Sequence, residues 1–386
     1  MLQYSESQIL QMAGRAGRPQ FCKEATVVIL TSQDRQHYYQ GLMEGRQMVE
    51  SSLHRHLYEH INAEIILGTV ASVQQAIVWL QSTYLFIRMK RNPGHYELAG
   101  AEPQSLEEKV GQLCGDALQE MQEVGLVSLG PDGAVVGTST GRLMSRFYLA
   151  YDTMKQLTDC RTAGQASMLE TICRAREMQD AVLRTSEKKT LNGLNRNKER
   201  KNIRYQIAGK IKTKEQKVNV LIQASLGCMN IPDAGLAMEA PRYIRLASRV
   251  ASCLFELIVN HPEKSRDLLL VRDSLQLLKS LECGLWEDSQ LVARQMSGVG
   301  AALSASLARA GYTSLPKLVA ANPRMLEIAA KKAAPWGNLV RDWAGRLPRY
   351  SVHFSSPTRH HQIIQVSKLS ERIRHHRVTQ FCGRLK

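Results

Sequence analysis

A chain of 386 residues, 44% of them hydrophobic, is long enough for about two to four separately cored domains. Its formal net charge of +16 and pI of about 9.6 point to a polyanionic partner, most simply nucleic acid. No apolar run reaches the roughly 18–20 residues of a membrane span, and no basic-then-apolar leader opens the chain. None of the eight cysteines is spaced as a metal knuckle or a redox pair, so they read as buried thiols in a reducing compartment, the nucleus before the cytosol.

The first expected element is a helix from Ser5 that runs into Gln11-Met12-Ala13-Gly14-Arg15-Ala16-Gly17-Arg18-Pro19. A planar guanidinium matches phosphate oxygens and stabilises the charge that develops at a γ-phosphate during hydrolysis. Gly14 and Gly17 keep side-chain bulk away, which lets a neighbouring domain come close. The run resembles the last helicase motif of superfamily-two helicases of the Ski-like branch. In that branch the glutamine and both arginines face the nucleotide across the cleft between two RecA-like domains. The resemblance gives those catalytic roles to Gln11, Arg15 and Arg18, with Arg18 as the finger proper. No Gly-x-x-x-x-Gly-Lys-Ser/Thr loop and no acidic box for magnesium occurs in the sequence. The resemblance thus implies the C-terminal part of a longer motor, with residues 1–48 belonging to its second RecA-like domain. ATP and Mg2+ then belong to the full-length parent, and this chain alone binds neither. Ala25–Thr31, apolar and β-branched, has the pattern of a buried parallel strand.

Residues 49–155 read as a winged helix. Leu53, Leu57, Ile61 and Ile65 mark one helix, and Val73, Ala76, Ile77, Leu80 and Tyr84 a second that Asn92-Pro93-Gly94 stops. Ser105 with Glu108 predicts a capping box for a third helix, with Val110, Leu113, Ala117, Leu118 and Met121 inward. Leu126–Leu129, a Gly-Pro-Asp-Gly turn and Ala134–Val136 form a hairpin, the wing, and a helix over 140–157 closes the unit. His54, His56 and His60 share helix faces but lack an acidic fourth ligand, so no metal is expected. The phrases at 50–65, 82–88 and 92–96 resemble the winged-helix entry of the Ski-like helicases, where this domain braces the motor.

Residues 156–290 have helical periodicity, with Met168, Ile172, Ala175, Met178 and Val182 on one stripe. From Arg184 to Lys217 there are twelve Lys/Arg against three Glu, a net of +9, an electrostatic footprint for a phosphate backbone or else a solvated face. The phrases 186–192, 210–214 and 217–224 resemble the Sec63 helical domain, whose ratchet helix touches the tracking strand in relatives. Lys188, Lys189, Lys210, Lys212, Lys214 and Lys217 are the candidate contacts. Arg242, Arg245 and Arg249 share a helix face and join them, or pair with local acids such as Glu239. Val218, Leu221, Ile222 and Leu226 are expected inside.

At 291–345, Gly298-Val299-Gly300 between two short helices is the helix-hairpin-helix pattern, which offers backbone N–H groups to phosphate. Lys331, Lys332 and Pro335-Trp336-Gly337 suggest a degenerate second hairpin. Residues 346–386 start a β-domain at Tyr350–Phe354 and continue as a basic tail, with nine Lys/Arg against one Glu. The resemblance covers about residues 1–354.

The expected fold is therefore mainly α, with a partial RecA-like α/β segment, a winged helix, a helical ratchet bundle and a helix-hairpin-helix. Within the branch, the phrases at 50–65, 186–192 and 210–224 look most like the single-cassette meiotic DNA helicases that promote crossing over. That resemblance implies 3′-to-5′ unwinding, single-stranded or branched DNA and recombination proteins as partners, no membrane, and a nuclear location. A non-catalytic nucleic-acid-binding module and a fragment of a spliceosomal-type RNA helicase are the competing readings.

Overall fold

The computed structural model describes residues 4, 6–17, 20, 24–45, 49–96, 103–160, 164–196, 202–347, 350–358 and 361–368. The chain divides into two units, Met1–Thr138 and Ser139–Lys386.

In the first unit, α1 (Glu6–Ala13) leads into the arginine motif and α2 (Gln36–Met43) packs beside it, with Tyr38 Oη donating to Glu6 Oε1 at 3.0 Å. Gly17 is required twice over: its φ is +80°, and a Cβ there would stand 2.8 Å from Ala25 Cβ. The strand expected at 25–31 does not form. Residues 24–32 are irregular, and Val28 and Leu30 are 76% and 94% exposed. A parallel strand needs neighbours to take its hydrogen bonds, and no strand among the described residues lies beside this segment.

The winged helix follows as α3 (Leu57–Leu67), α4 (Val73–Gln81), α5 (Tyr84–Arg91), α6 (Pro103–Glu123), β1 (Val127–Leu129) and β2 (Val135–Gly137). The expected second helix is two, because the Ser82 and Thr83 hydroxyls both bond back to carbonyls of α4 and end it. Tyr84 then opens α5 half-exposed instead of joining the core. The third helix starts at Pro103, where proline suits a first turn, two residues ahead of the expected cap at Ser105. Its Val110, Ala117, Leu118 and Met121 are buried as expected, while Leu113 is 38% exposed. The wing pairs Val127 with Gly137 and Leu129 with Val135 around the Gly130–Gly133 turn.

One carboxylate fastens this unit at its entry. Glu50 accepts from Arg88 Nε and Nη2 at 3.1 and 2.6 Å, Asn92 Nδ2 at 2.8 Å and Tyr96 Oη at 2.8 Å. Arg88 is 3% exposed, so the pair is largely shielded from water. Of the three histidines, His54 has a local role: its Nδ1 lies 3.1 Å from the Ser51 carbonyl, with its ring edge-on to Tyr96.

In the second unit, the helix expected over 140–157 is broken into α7 (Ser139–Phe147) and α8 (Tyr151–Thr158). Tyr148 sits between them at φ +50°. Its N–H bonds Ser145 O at 3.3 Å, and Leu149 N–H bonds Met144 O at 3.1 Å, the wrapped end that usually has glycine at its left-handed position. Both fragments belong to this unit, not to the winged helix. The bundle continues with α9 (Gln165–Arg174), α10 (Lys188–Asn195), α11 (Lys214–Leu226), α12 (Ala234–Asn260) and α13 (Leu268–Cys283). Val182 falls beyond the end of α9 and is 65% exposed, unlike Met168, Ile172, Ala175 and Met178, which are buried.

The central element is α11, packed against α9, α10 and α12. Val218, Leu221, Ile222 and Leu226 are fully buried, with Val220 and Ala224 beside them. Thr213 and Gln216 close its N-terminus as a reciprocal capping box. At its other end, a Cβ on Gly227 would meet the Asn202 backbone at 2.5–2.8 Å, so only glycine fits.

A separate apolar cluster holds α14 (Ala301–Arg309), α15 (Leu315–Ala320), α16 (Pro323–Ala330) and α17 (Trp336–Arg346) together around Val299, Leu307, Leu318, Leu326 and Val340. Finally β3 (Tyr350–Thr358) pairs antiparallel with β4 (His361–Lys368), so the expected first strand has a partner. No helix among the described residues is long and apolar enough to cross a membrane.

Candidate nucleic-acid interface

Residues 202–213 form neither helix nor strand between α10 and α11, yet three carboxamides hold them in place. Gln223 Oε1 accepts from Tyr205 N–H at 2.9 Å while its Nε2 donates to Tyr205 O at 2.9 Å. Asn195 does the same for Ile207, at 3.0 and 2.8 Å. Asn192 Oδ1 accepts from Ile211 N–H at 3.0 Å. Side-chain amides satisfy what a neighbouring strand would otherwise satisfy. Ile203 and Ile211 are buried beneath the segment, and Lys210 and Lys212 stand exposed on it. The Asn192 clasp lies one turn along α10 from Lys188 and Lys189, so the segment brings four of the expected cations to one place. Lys189 is exposed and Lys188 half-buried.

Two of the expected lysines are otherwise engaged. Lys217 is 1% exposed, and its Nζ donates to Glu187 Oε2, Glu239 Oε2 and Val182 O, each at 2.8 Å. This corrects its reading as a strand contact: it is an internal cation neutralising two carboxylates at the junction of α11, α12 and the 182–187 turn. Burial, then the nearby Glu239 carboxylate, pushes the neighbouring Tyr243 phenol up to about 12. Lys214 is half-buried and donates to Gln179 O at 3.0 Å.

The arginines of α12 divide as the sequence alternatives allowed. Arg242 pairs with Asp180 and not with Glu239, and both partners stay about half-exposed. Arg245 is exposed, and Arg249 is half-buried with its Nε enclosed and without a partner.

In the last body, Gly298 has φ +82°, and Gly300 precedes α14 with no side chain capping its N–H groups. Gly298, Gly300, Ala301 and Ala302 are exposed, so those donors open to solvent. The second hairpin differs. Gly337 N–H donates to Glu327 Oε1 at 2.9 Å, which places a carboxylate of the chain itself where an anion would bind. Gly337 also packs directly on the Pro323 carbonyl, leaving no room for a side chain.

At the N-terminus, Gln11 and Arg15 are exposed at the end of α1, and Arg18 lies outside the described residues. Sequence reasoning missed the clasping role of Asn192, Asn195 and Gln223. Their only signal was polar residues at helix positions that the periodicity assigns to the inside. Charge separates the two units further: residues 49–138 hold eleven Asp/Glu against five Lys/Arg. The outward side of α6 contributes Glu107, Glu108, Asp116, Glu120 and Glu123 to that excess, which disfavours phosphate there.

Comparison with known proteins agrees with this division. The model of the Sec63 Brl domain matches residues 137–375, beyond the expected limit of the resemblance, and a winged helix-turn-helix domain model matches residues 50–130. The chain is 38% identical over 91% of its length to "Probable ATP-dependent DNA helicase HFM1" of Xenopus tropicalis, covering 26% of that protein. It is 39% identical over 93% of its length to the human protein of that name, covering 25% of it. To "ATP-dependent DNA helicase homolog MER3" of Arabidopsis thaliana it is 34% identical over 90% of its length, covering 31% of that protein. The chain thus spans roughly a quarter to a third of these relatives. It belongs to the Sec63 Brl-domain family, carries a winged helix ahead of that domain, and resembles the C-terminal part of the Ski2-like helicases of the HFM1 and MER3 type.

Proposed function

We propose that this chain is the strand-holding part of an ATP-dependent DNA helicase of meiotic recombination, acting in the nucleus on single-stranded or branched DNA. The observation that carries the reading is that Lys210 and Lys212 are exposed on a backbone fixed by Asn192, Asn195 and Gln223, and that Lys189 is exposed on α10, the helix that supplies Asn192 and Asn195. Arg245 and the uncapped start of α14 at Gly298 and Gly300 add further phosphate-binding groups without base preference. The names of the similar proteins support the ATP-dependent DNA helicase assignment.

In the same reading, Gln11, Arg15 and Arg18 face the nucleotide of the parent motor, which moves 3′ to 5′. ATP and Mg2+ supply the phosphoryl-transfer chemistry when bound in that parent. The part of this chain is to bring guanidinium charge to the γ-phosphate. Gly17 keeps the turn tight enough for that approach. Arg18→Ala in the full-length parent should abolish ATP turnover and spare strand binding; unchanged turnover would reject the role.

The direct test is binding of the purified chain to labelled single-stranded DNA and RNA of equal length over a salt series. Tight DNA binding that weakens steeply with salt, and that Lys189/Lys210/Lys212→Ala reduces in both affinity and salt slope, supports the proposal. Equal affinity for RNA moves the assignment to the RNA-acting relatives. Binding untouched by the triple substitution removes the basic segment from the interface.

A further inference from the structure

Helix α16 packs on α14 and α17, with Leu326 and Ala330 buried in the apolar cluster of that body. Its outer side carries Met325 and Ile328, three positions apart and 53% and 69% exposed. Arg324 lies one turn before Ile328, and Lys331 and Lys332 follow at the left-handed turn that ends the helix; all three are exposed. Two aliphatic side chains thus stand among three cations on one strip. Glu327, the one acid of this helix, is engaged elsewhere, its Oε1 accepting from Gly337 N–H at 2.9 Å.

The strip calls for an anionic ligand, and two features favour a protein over a nucleic acid. A helix hairpin meets a phosphate backbone with free N–H groups, whereas the Gly337 N–H at the start of α17 already holds a carboxylate, whose charge repels phosphate. Bases stack on aromatic faces, and the middle of this strip is aliphatic. An acidic amphipathic helix matches both parts: its aliphatic side chains at i, i+3, i+4 and i+7 cover Met325 and Ile328, and its carboxylates meet the cations. We propose that the outer face of α16 is a docking site for an acidic amphipathic helix of a partner protein. Met325 and Ile328 form its apolar centre, and Arg324, Lys331 and Lys332 its charged rim. The inference is independent of strand binding at the 202–213 segment.

The test is selection of phage-displayed random peptides of about 15 residues on the 386-residue chain. The recovered peptides are then titrated against the unaltered chain, Ile328→Glu and Arg324/Lys332→Ala. They should combine aspartate or glutamate with aliphatic residues at helical spacing. Ile328→Glu sets a like charge in the apolar centre, so affinity should fall at least about tenfold at every salt concentration. Arg324/Lys332→Ala should weaken binding about three- to tenfold at low salt and remove most of its salt dependence. The three substituted positions are exposed, and Lys331 keeps its left-handed place, so melting temperatures should stay within about 2 °C of the unaltered chain. Recovery of no peptide, recovery of peptides without the acidic-aliphatic pattern, or affinity unchanged by Ile328→Glu overturns the proposal. Single-stranded DNA binding lost in Ile328→Glu assigns the face to nucleic acid. A dimer of the unaltered chain that Ile328→Glu dissolves, read by light scattering, assigns it to a second copy. Either result also overturns the proposal.

Discussion

Lys217 and Glu187 meet inside the protein, with Nζ 2.8 Å from Oε2 and the two side chains 1% and 3% exposed. Glu239 closes the group from α12, also at 2.8 Å. Removing the lysine strands two carboxylates where solvation is poor. Lys217→Ala should therefore cost about 3–5 kcal/mol of stability in chemical denaturation. Lys212→Ala, exposed on the surface, should stay within about 0.5 kcal/mol. A small effect at position 217 would show that water reaches the group.

Acid should loosen the winged helix through Glu50. Hydrogen bonds from Arg88, then Asn92, hold its carboxyl at about 2, below the ordinary 4.5. A carboxyl lowered in the folded state stabilises above its unfolded value and loses that contribution as pH falls. Thermal melts should drop between about pH 4.5 and pH 2, and Glu50→Gln should flatten that window. An unchanged acid profile in the variant would assign the loss to other carboxylates.

Gly227→Ala should cost about 1–3 kcal/mol, since its new methyl overlaps the Asn202 backbone and neither side is a flexible chain end. Denaturant titration reads the loss. The same substitution at Gly345, which has open space around its Cβ position, is the matched control.

Tyr148→Gly should stabilise. The residue is at φ +50° and 82% exposed, so the substitution relieves a left-handed strain of roughly 1 kcal/mol and removes little buried surface. A fall in melting temperature would mean the ring makes contacts that its exposure hides.

The periodicity of the chain revealed most of its helices and the wing, because apolar spacing and turn residues act locally. The phrases at 50–65, 82–88 and 92–96 carried the family resemblance, and in the fold they supply Glu50, Arg88, Asn92 and Tyr96 to one network. What stayed hidden depended on partners distant in sequence. Lys217 looks like its basic neighbours until Glu187 and Glu239 surround it, thirty positions upstream and one helix downstream. The apolar run at 25–31 has the composition of a strand, and composition cannot supply the neighbour that a strand requires. Likewise, the break at Tyr148 follows from a wrapped helix end that a tyrosine gives no reason to expect.

The clasps of Asn192, Asn195 and Gln223 bear on how tightly the segment they hold can bind. A basic loop that is free in solution must be ordered when it meets a phosphate backbone, and that loss of freedom subtracts from affinity. Here the ordering of residues 205–211 is completed when the bundle folds, at the amide groups of α10 and α11. On the proposed reading, a strand arriving at Lys210 and Lys212 meets a backbone already in place, and the ordering cost falls on the strand and the lysine side chains. Loosening the clasp, as in Asn195→Ala, should slow nothing in the encounter and shorten the residence of the strand once bound.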